Sequence, residues 1–155
     1  MKKKSILLTT AILLLCLALL CGCQKKEKFI IDGLVDVNVR NDLGVSLTAE
    51  SITPAGGEIV LSNESAEPYS YTGWYALNMR TDEGWKNMKS TDDSLIFTLL
   101  LQKLYMMDSY TLSHNWSRAF GELPAGEYRL VKEIVPYEGN SVEEAFYVTC
   151  EFTIK

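Results

Sequence analysis

Hydrophobic and polar positions alternate along most of the chain beyond Gly44. Val45, Leu47 and Ala49 alternate with polar neighbours, which predicts a strand with one buried face. The same period of two is cleanest near the C terminus, where one face carries Phe146, Val148, Cys150, Phe152 and Ile154. Both stretches are therefore predicted to be strands of sheets that cover a core on one side.

The longest alternating run spans residues 69–80. One face carries Tyr69, Tyr71, Tyr75, Leu77 and Met79, and the other carries mostly polar residues together with Trp74 and Ala76. Thr81–Gly84 follows as a predicted hairpin turn, because Gly84 can adopt the positive φ that such turns need. Trp85 and Met88 continue into the return strand.

Further short strands are predicted at residues 58–62, 110–116 and 128–135, and one helical turn within residues 117–126. Residues 94–107 are apolar on every face, so they fit either a buried strand with a bend or a short helix. The chain thus has seven or eight short strands separated by turns, without repeated helical crossovers. This pattern predicts an all-β, antiparallel sandwich rather than a parallel α/β fold.

The first 22 residues depart from this pattern and are typical of a secretory signal. Lys2–Lys4 give it a positive start, and Ile6–Leu20 is a run of 15 residues that is apolar except at Thr9 and Thr10. Crossing a bilayer takes about 20 residues, so a cleaved signal is favoured over a stable transmembrane helix. Residues 23–43 are then expected to form a polar tether that can include a short strand, and residues 44–155 the folded domain.

Leu20-Cys21-Gly22-Cys23 resembles the lipobox at which bacterial lipoproteins are processed. A small residue precedes the cysteine, whose thiol accepts diacylglycerol and which becomes the new N terminus. We therefore expect residues 1–22 to be a lipoprotein signal peptide and Cys23 to be the lipid attachment site. This anchor places the protein at the extracytoplasmic face of the cell membrane; an uncleaved anchor is the alternative. A metal site at Cys21 and Cys23 is excluded because a C-x-C pair lacks further ligands.

The charge balance limits the classes of partner. Cleavage after residue 22 removes three of the 15 Lys and Arg residues and none of the 20 Asp and Glu residues, which leaves a net charge of −8. A chain this acidic, without a basic cluster, is a poor candidate for binding nucleic acid or an anionic bilayer surface. Membrane attachment therefore has to come from something other than charge, such as a lipid on Cys23.

Three stretches of the domain carry a family pattern: FGELPAGEYRLVKEI (120–134), YSYTGWYALNMRTDEGWKNM (69–88) and AFYVTCEFTI (145–154). Together they resemble the bacterial immunoglobulin-like domain found in many small lipoproteins of Gram-positive bacteria, and the first stretch is the most specific. The resemblance covers residues 44–155 and implies an immunoglobulin-like β-sandwich. It brings no enzymatic activity or ligand site with it.

Tyr128 in the first of these stretches is placed like the tyrosine of a tyrosine corner, whose hydroxyl bonds to nearby upstream backbone. In true immunoglobulin domains a cysteine follows two residues later, where this chain has Leu130. The inter-sheet disulfide is therefore expected to be missing, with apolar packing in its place.

Candidate catalytic groups are few. His114 is the only histidine, and neighbouring Ser113 must point to the opposite face of a strand, so the two cannot pair. Cys150 lies among apolar positions, where burial raises the pKa of a thiol and makes it unreactive. We expect both His114 and Cys150 to be packing residues, and we expect the protein not to be an enzyme and to use no cofactor.

Acidic stretches give no metal motif. The stretch from Asp36 to Leu47 fails as a calcium loop, because Asn41 and Leu47 stand where glycine and glutamate are required. Asp92-Asp93 and Glu143-Glu144 are expected to be solvated loop residues.

Aromatic residues are the remaining candidates for recognition. Trp74 and Trp85, with Tyr75, can form an exposed interaction surface or fill the core face of the second sheet. The leading functional hypothesis is a non-catalytic module that contacts an envelope protein or peptide. The alternative is a surface protease inhibitor that presents Asn63–Pro68 or Pro136–Glu144 as a loop.

Overall fold

The computed structural model describes residues 30–31, 34–35, 38–91, 97–98, 100–138 and 144–155. They form strands and one helical turn: β1 (Ile30–Ile31), β2 (Leu34–Val35), β3 (Val45–Ala49), β4 (Gly57–Asn63), β5 (Tyr69–Tyr71), β6 (Ala76–Thr81), β7 (Gly84–Asn87), β8 (Gln102–Leu104), β9 (Asp108–His114), α1 (Ser117–Phe120), β10 (Gly126–Pro136) and β11 (Phe146–Ile154). The all-β fold that the alternating pattern predicted is thereby confirmed.

Two main sheets make up the domain. The larger has the order β7-β6-β10-β5-β8, with β11 on the other side of β10, and the smaller has the order β3-β4-β9. The pairs within both sheets are antiparallel. β10 is the central strand of the larger sheet, because β11 follows it from Gly126 to Ile134 while β6 and β5 share its other side.

The core lies between the two sheets, where the alternating apolar positions meet. The smaller sheet contributes Val45, Leu47, Ile59 and Leu61, and the larger sheet contributes Leu77, Tyr128, Leu130, Ile134, Phe146, Val148, Cys150, Phe152 and Ile154. The connection after β9 adds Trp116, whose ring stacks on Phe152 with 5.4 Å between ring centres. Burial on alternate positions of β3 and β11 matches the predicted period of two.

The run over residues 69–80 forms two strands instead of one continuous strand. β5 and β6 are separated at residues 72–75, where backbone polar groups take partners outside the sheet ladder. The Gly73 N–H donates to the carbonyl of Thr98 at 2.8 Å, and the Trp74 N–H donates to the Thr72 hydroxyl oxygen at 3.2 Å. The predicted hairpin turn after β6 is confirmed, with a φ of 111° at Gly84.

Residues 94–107 are partly described. Within the described part, β8 lies near the end of this stretch and pairs with β5 at the edge of the larger sheet, and no helix occurs. Residues 94–96 and 99 lie outside the described residues, so the choice there stays a prediction. The predicted helical turn between residues 117 and 126 is confirmed as α1.

The described part of the predicted tether pairs with its neighbours. β1 and β2 pair with each other over two residues each. Val39 forms a parallel bridge with Tyr147 of β11. The Arg40 N–H donates to the Tyr147 carbonyl, and the Tyr147 N–H donates to the Asn38 carbonyl, both at 2.8 Å. Residues 38–40 therefore extend the larger sheet beyond β11.

Candidate functional site

The predicted anchor lies outside the described residues. This holds for the signal peptide of residues 1–22 and for Cys23, so lipid attachment stays a prediction. In the part of the chain that the structure describes, no helix is both long enough and apolar enough to cross a membrane.

The start of β10 has the geometry of a tyrosine corner. The Tyr128 hydroxyl donates to the carbonyl of Pro124 at 2.8 Å, and the Tyr128 ring is fully buried. This is the upstream backbone bond that the sequence predicted. Leu130, at the position of the missing cysteine, is also fully buried in the core. Apolar packing therefore takes the place of a disulfide at Leu130.

Cys150 is a free, buried thiol on β11. It lies across from Leu130 in the ladder between β10 and β11. Burial raises the pKa of Cys150 to about 12, and the nearby charge of Glu151 adds to the effect. The thiol is therefore protonated at neutral pH and is a poor nucleophile, as expected from its position.

His114 is packed against aromatic side chains. The His114 ring lies 4.4 Å from the ring centre of Tyr75, and its Nε2 has no hydrogen-bond partner among the described residues. Burial, together with a smaller contribution from the charge of Lys132, lowers the pKa of His114 to about 4. Ser113 is exposed on the opposite side of β9. Ser113 is therefore not placed to be the serine partner that a hydrolase would need.

Lys132 is a buried cation that the sequence reasoning missed. Only 1% of its surface is exposed, and its ammonium donates to the carbonyls of Thr72 (2.5 Å) and Trp74 (2.9 Å). The ammonium also lies 5.4 Å from the ring centre of Tyr71. Burial lowers the pKa of Lys132 to about 8. Lys132 therefore ties β10 to the break between β5 and β6.

The alternation along β10 contains a signal for the burial of Lys132. On β10, Lys132 has the same parity as Tyr128, Leu130 and Ile134, all of which face the core. Its long stem can lie along apolar side chains while the ammonium reaches backbone carbonyls. The parity indicates the burial, but the sequence does not indicate which carbonyls accept its bonds.

Trp85 is buried in the larger sheet and does not form an exposed surface. It is 9% exposed, and its indole is covered by two guanidinium groups, with the centre of Arg129 4.4 Å and that of Arg80 5.2 Å from the ring centre. Arg129 is itself buried and donates to the side-chain oxygen of Asn78 at 3.3 and 3.4 Å. The role of Trp85 in this structure is therefore a cation–π contact with two arginines and not an exposed binding surface.

Trp74 is half-buried and lies in a separate cluster. It packs near Ala76 and Val131, with Val39 and Tyr147 at the rim. The Trp74 and Tyr147 rings meet edge to face at 6.2 Å. The two tryptophans are therefore not exposed together, and neither belongs to the core cluster between the sheets, so they do not fill the core face either. Asn78 and Arg129, on the outer face of the larger sheet, are themselves buried. This face is therefore not open to solvent around Trp85.

The loops considered for protease inhibition and for metal binding are described only in part. Asn63–Pro68 is a compact turn in which the Asn63 amide donates to the Glu67 carbonyl at 2.8 Å. Residues 139–143 and the pair Asp92-Asp93 lie outside the described residues. In the failed calcium stretch, Arg40 forms an ion pair with Asp42 at 2.8 Å. Among the described residues no group of three or more metal-ligating side chains occurs.

The exposed large hydrophobic side chains of the described residues all fall in one short stretch. They are Leu100, Leu101, Tyr105, Met106 and Met107, each between 51% and 77% exposed. We call residues 100–107 the apolar segment. It contains β8 and the connection to β9, which joins the larger sheet to the smaller. The sequence indicates an apolar stretch here and leaves open a buried strand with a bend or a short helix.

Comparison with known proteins gives the family of the domain. A family model described as a bacterial Ig-like domain matches residues 41–153. The match runs from the segment before β3 to the penultimate residue of β11, and it confirms the resemblance seen in the sequence. No curated protein matches the chain.

Proposed function

The chain belongs to the bacterial Ig-like domain family, and on that premise we propose that it is a lipid-anchored interaction module on the extracytoplasmic face of the cell membrane. Domains of this family are extracellular interaction modules and are typically non-catalytic. The proposal goes further by adding the anchor and the place. It assigns the domain the task of contacting another envelope protein or a peptide.

The observation that carries the anchor is the lipobox-like sequence Leu20-Cys21-Gly22-Cys23. It begins at the last residue of the largely apolar run Ile6–Leu20 and ends 18 residues before the family match begins at residue 41. Two acyl chains bound through Cys23 would hold the protein stably, at roughly 0.8 kcal/mol for each buried CH₂. This anchor would place the sandwich on the envelope side of the membrane.

A non-catalytic role is supported by the state of the reactive groups. The Nε2 of His114 has no hydrogen-bond partner among the described residues, burial keeps the Cys150 thiol protonated, and the Lys132 ammonium donates to two backbone carbonyls. A site for acid–base or nucleophilic catalysis needs such groups to be accessible and close together. The alternative of protease inhibition stays a prediction: Asn63–Pro68 is a compact turn, and residues 139–143 of the other candidate loop lie outside the described residues.

The anchor is tested by substitution of the cysteine. Cys23→Ser removes the thiol that accepts diacylglycerol, so we expect the protein to lose its lipid and to remain unprocessed. The measurement is metabolic labelling with an alkyne fatty acid, followed by gel separation of membrane and soluble fractions. Cys21→Ser is the matched control, because it leaves a small residue before the acceptor and should be labelled and processed normally.

Two outcomes would refute the anchor. One is a labelled band of mature size in the Cys23→Ser protein. The other is a loss of label in Cys21→Ser equal to that in Cys23→Ser, which would mean that the box has been read in the wrong register. For the interaction role, cross-linking of the anchored wild-type protein in intact cells should yield a defined heavier species. Its complete lack across several cross-linker lengths would count against a protein partner.

A further inference from the structure

Hydrogen bonds from a buried side chain hold the backbone of the apolar segment at the start of its exposed tip, residues 105–107. The side-chain amide of Asn63, which is buried, donates to the carbonyls of Leu104 (3.4 Å) and Tyr105 (3.1 Å). Leu104 is itself buried in the core. The segment is therefore held at its base, while Tyr105, Met106 and Met107 are exposed.

Met107 adopts a backbone conformation that favours glycine. Its φ is 56°, and among the described residues it is the only residue other than glycine with a positive φ. A methionine is less stable there than glycine or asparagine, and yet its side chain is 77% exposed and packs little. The fold does not account for this methionine, so we expect the side chain to act outside the fold.

The apolar segment differs in charge from the rest of the chain. Residues 97–107 contain no Asp or Glu and a single cation, Lys103, although the chain has 20 acidic residues. The Lys103 ammonium lies 5.0 Å from the ring centre of Tyr137. Glu64 and Asp108 border the tip beside Met107. Apolar side chains with one cation fit the acyl and phosphate layers of a lipid surface, and the bordering carboxylates would stay in water.

The apolar segment lies at one end of the sandwich. Leu104 pairs with Tyr69, which in turn pairs with Pro136 at the end of β10. The start of β10, at Gly126, is about 30 Å away at roughly 3.3 Å per residue. Ala125 is exposed beside Gly126 and therefore marks the opposite end.

We propose that the apolar segment dips into the bilayer to which Cys23 is anchored and so fixes the orientation of the domain on the lipid surface. This inference rests on the proposed lipid anchor. β1 begins seven residues after Cys23, and seven residues span up to about 25 Å when extended, so the tether keeps the domain close to the bilayer. Because the anchor keeps the domain close to the surface, its local concentration is high and weak insertion is enough.

Shape favours lipid over a second copy of the chain as the occupant. Residues 105–107 form a short turn between strands of two different sheets, with three consecutive exposed side chains from Tyr105 to Met107. Two such short turns bury little area against each other, less than a stable dimer needs. Lipid acyl chains deform around such a turn and can cover all three side chains.

The experiment uses the lipidated protein in vesicles of phosphatidylethanolamine and phosphatidylglycerol. Met106→Cys carries an environment-sensitive NBD label at the tip, and Ala125→Cys carries the same label at the opposite end as the matched control. Cys23 is blocked by its lipid and Cys150 is buried, so the introduced cysteine is the one that reacts. Mass spectrometry of the N-terminal peptide establishes beforehand that Cys23 carries lipid.

The label at residue 106 should shift to the blue and be quenched at least about twofold by spin-labelled lipid, whereas the label at residue 125 should show neither effect. An unquenched label at residue 106 in lipidated protein would overturn the inference and leave the anchor standing. A blue shift that grows with protein density without lipid quenching would assign the surface to a second copy and also overturn it. An N-terminal peptide without lipid would refute the anchor itself and, with it, this inference.

Met107→Gly separates insertion from folding. Glycine relieves the left-handed backbone and removes the most exposed side chain of the segment. The thermal midpoint should therefore stay equal or rise, while lipid quenching of the label at residue 106 should fall. Undiminished quenching in a normally folded Met107→Gly protein would exclude Met107 from the inserted surface.

Discussion

At the scale of single residues, Lys132 shows how a charge is accommodated inside an apolar core. Its ammonium donates to two backbone carbonyls, lies over the Tyr71 ring and is near the charge of Glu133. Those contacts favour the charged form, but burial outweighs them and lowers the pKa to about 8. The unfolded chain therefore holds this proton more tightly than the folded one between about pH 8 and 10.5.

The sign of this difference gives a prediction. Because the folded state binds fewer protons, the contribution of Lys132 to stability rises with pH in this window. The free energy of unfolding of the wild type, relative to that of Lys132→Met, should increase by about 2 kcal/mol between pH 7 and pH 10. Urea unfolding at several pH values measures it.

Comparison with a variant cancels the opposite contributions of buried groups present in both proteins. Burial raises the pKa of Tyr75 and of Cys150, so the contribution of these two groups to the free energy of unfolding falls as the pH rises. Lys89→Met, which removes an exposed lysine, controls for the loss of one charge. If the free energy of unfolding changes with pH equally in the wild type and in Lys132→Met, the lowered pKa of Lys132 is not the cause.

At the scale of elements, β10 decides how the larger sheet is assembled. It has β11 on one side and both β6 and β5 on the other, so its position fixes that of three neighbours. The tyrosine corner closes the turn before it, through the bond from the Tyr128 hydroxyl to Pro124. A defect at this turn is therefore expected to reach the whole sheet.

Removal of the Tyr128 hydroxyl tests this role. Tyr128→Phe keeps the buried ring but leaves the Pro124 carbonyl without this donor, so stability should fall by about 1–2 kcal/mol. Tyr110→Phe is the control, since the Tyr110 hydroxyl bonds to exposed Asp108 and its loss should cost less than about 0.5 kcal/mol. Thermal denaturation of both variants gives the comparison. Equal midpoints would mean that the corner contributes no more than a surface bond.

The strands show which part of the fold could be predicted from the sequence. Alternation located β3, β6 and β11, and the turn residues located the β6–β7 hairpin, because both signals are local. The break between β5 and β6 could not be predicted, since it depends on Thr98 and Lys132, which are distant in sequence. The same limit explains the exposure of the apolar segment: periodicity cannot say whether an apolar edge is covered.

At the scale of the whole molecule, the sandwich includes residues before β3. Asn38 and Arg40 bond to Tyr147 at the edge of the larger sheet. Asn41 then exchanges two bonds with Thr149, at 3.1 and 3.2 Å. Covering the outer side of β11 in this way also hides an edge that would otherwise be open to another strand.

Two versions of the domain test this extension. A chain that begins at Gly44 lacks the bonds to Tyr147 and Thr149, so it should be less stable than one that begins at Asn38 by about 2 kcal/mol. Urea midpoints of the purified domains provide the measurement. Asn41→Ala in the longer chain should show a smaller loss, because the backbone bonds to Tyr147 remain. Identical midpoints for the two chains would restrict the folded unit to residues 44–155.

The core position of Leu130 has a consequence for the maturation of the protein. Leu130 stands where related sandwiches form a cross-link, and Cys150 is a lone thiol enclosed by neighbours and kept protonated. No oxidation step is then required between export and the native state, and a reductant has no bond in the sandwich to break. A cell can therefore deploy this domain without a thiol oxidase, in reducing surroundings as readily as in oxidising ones.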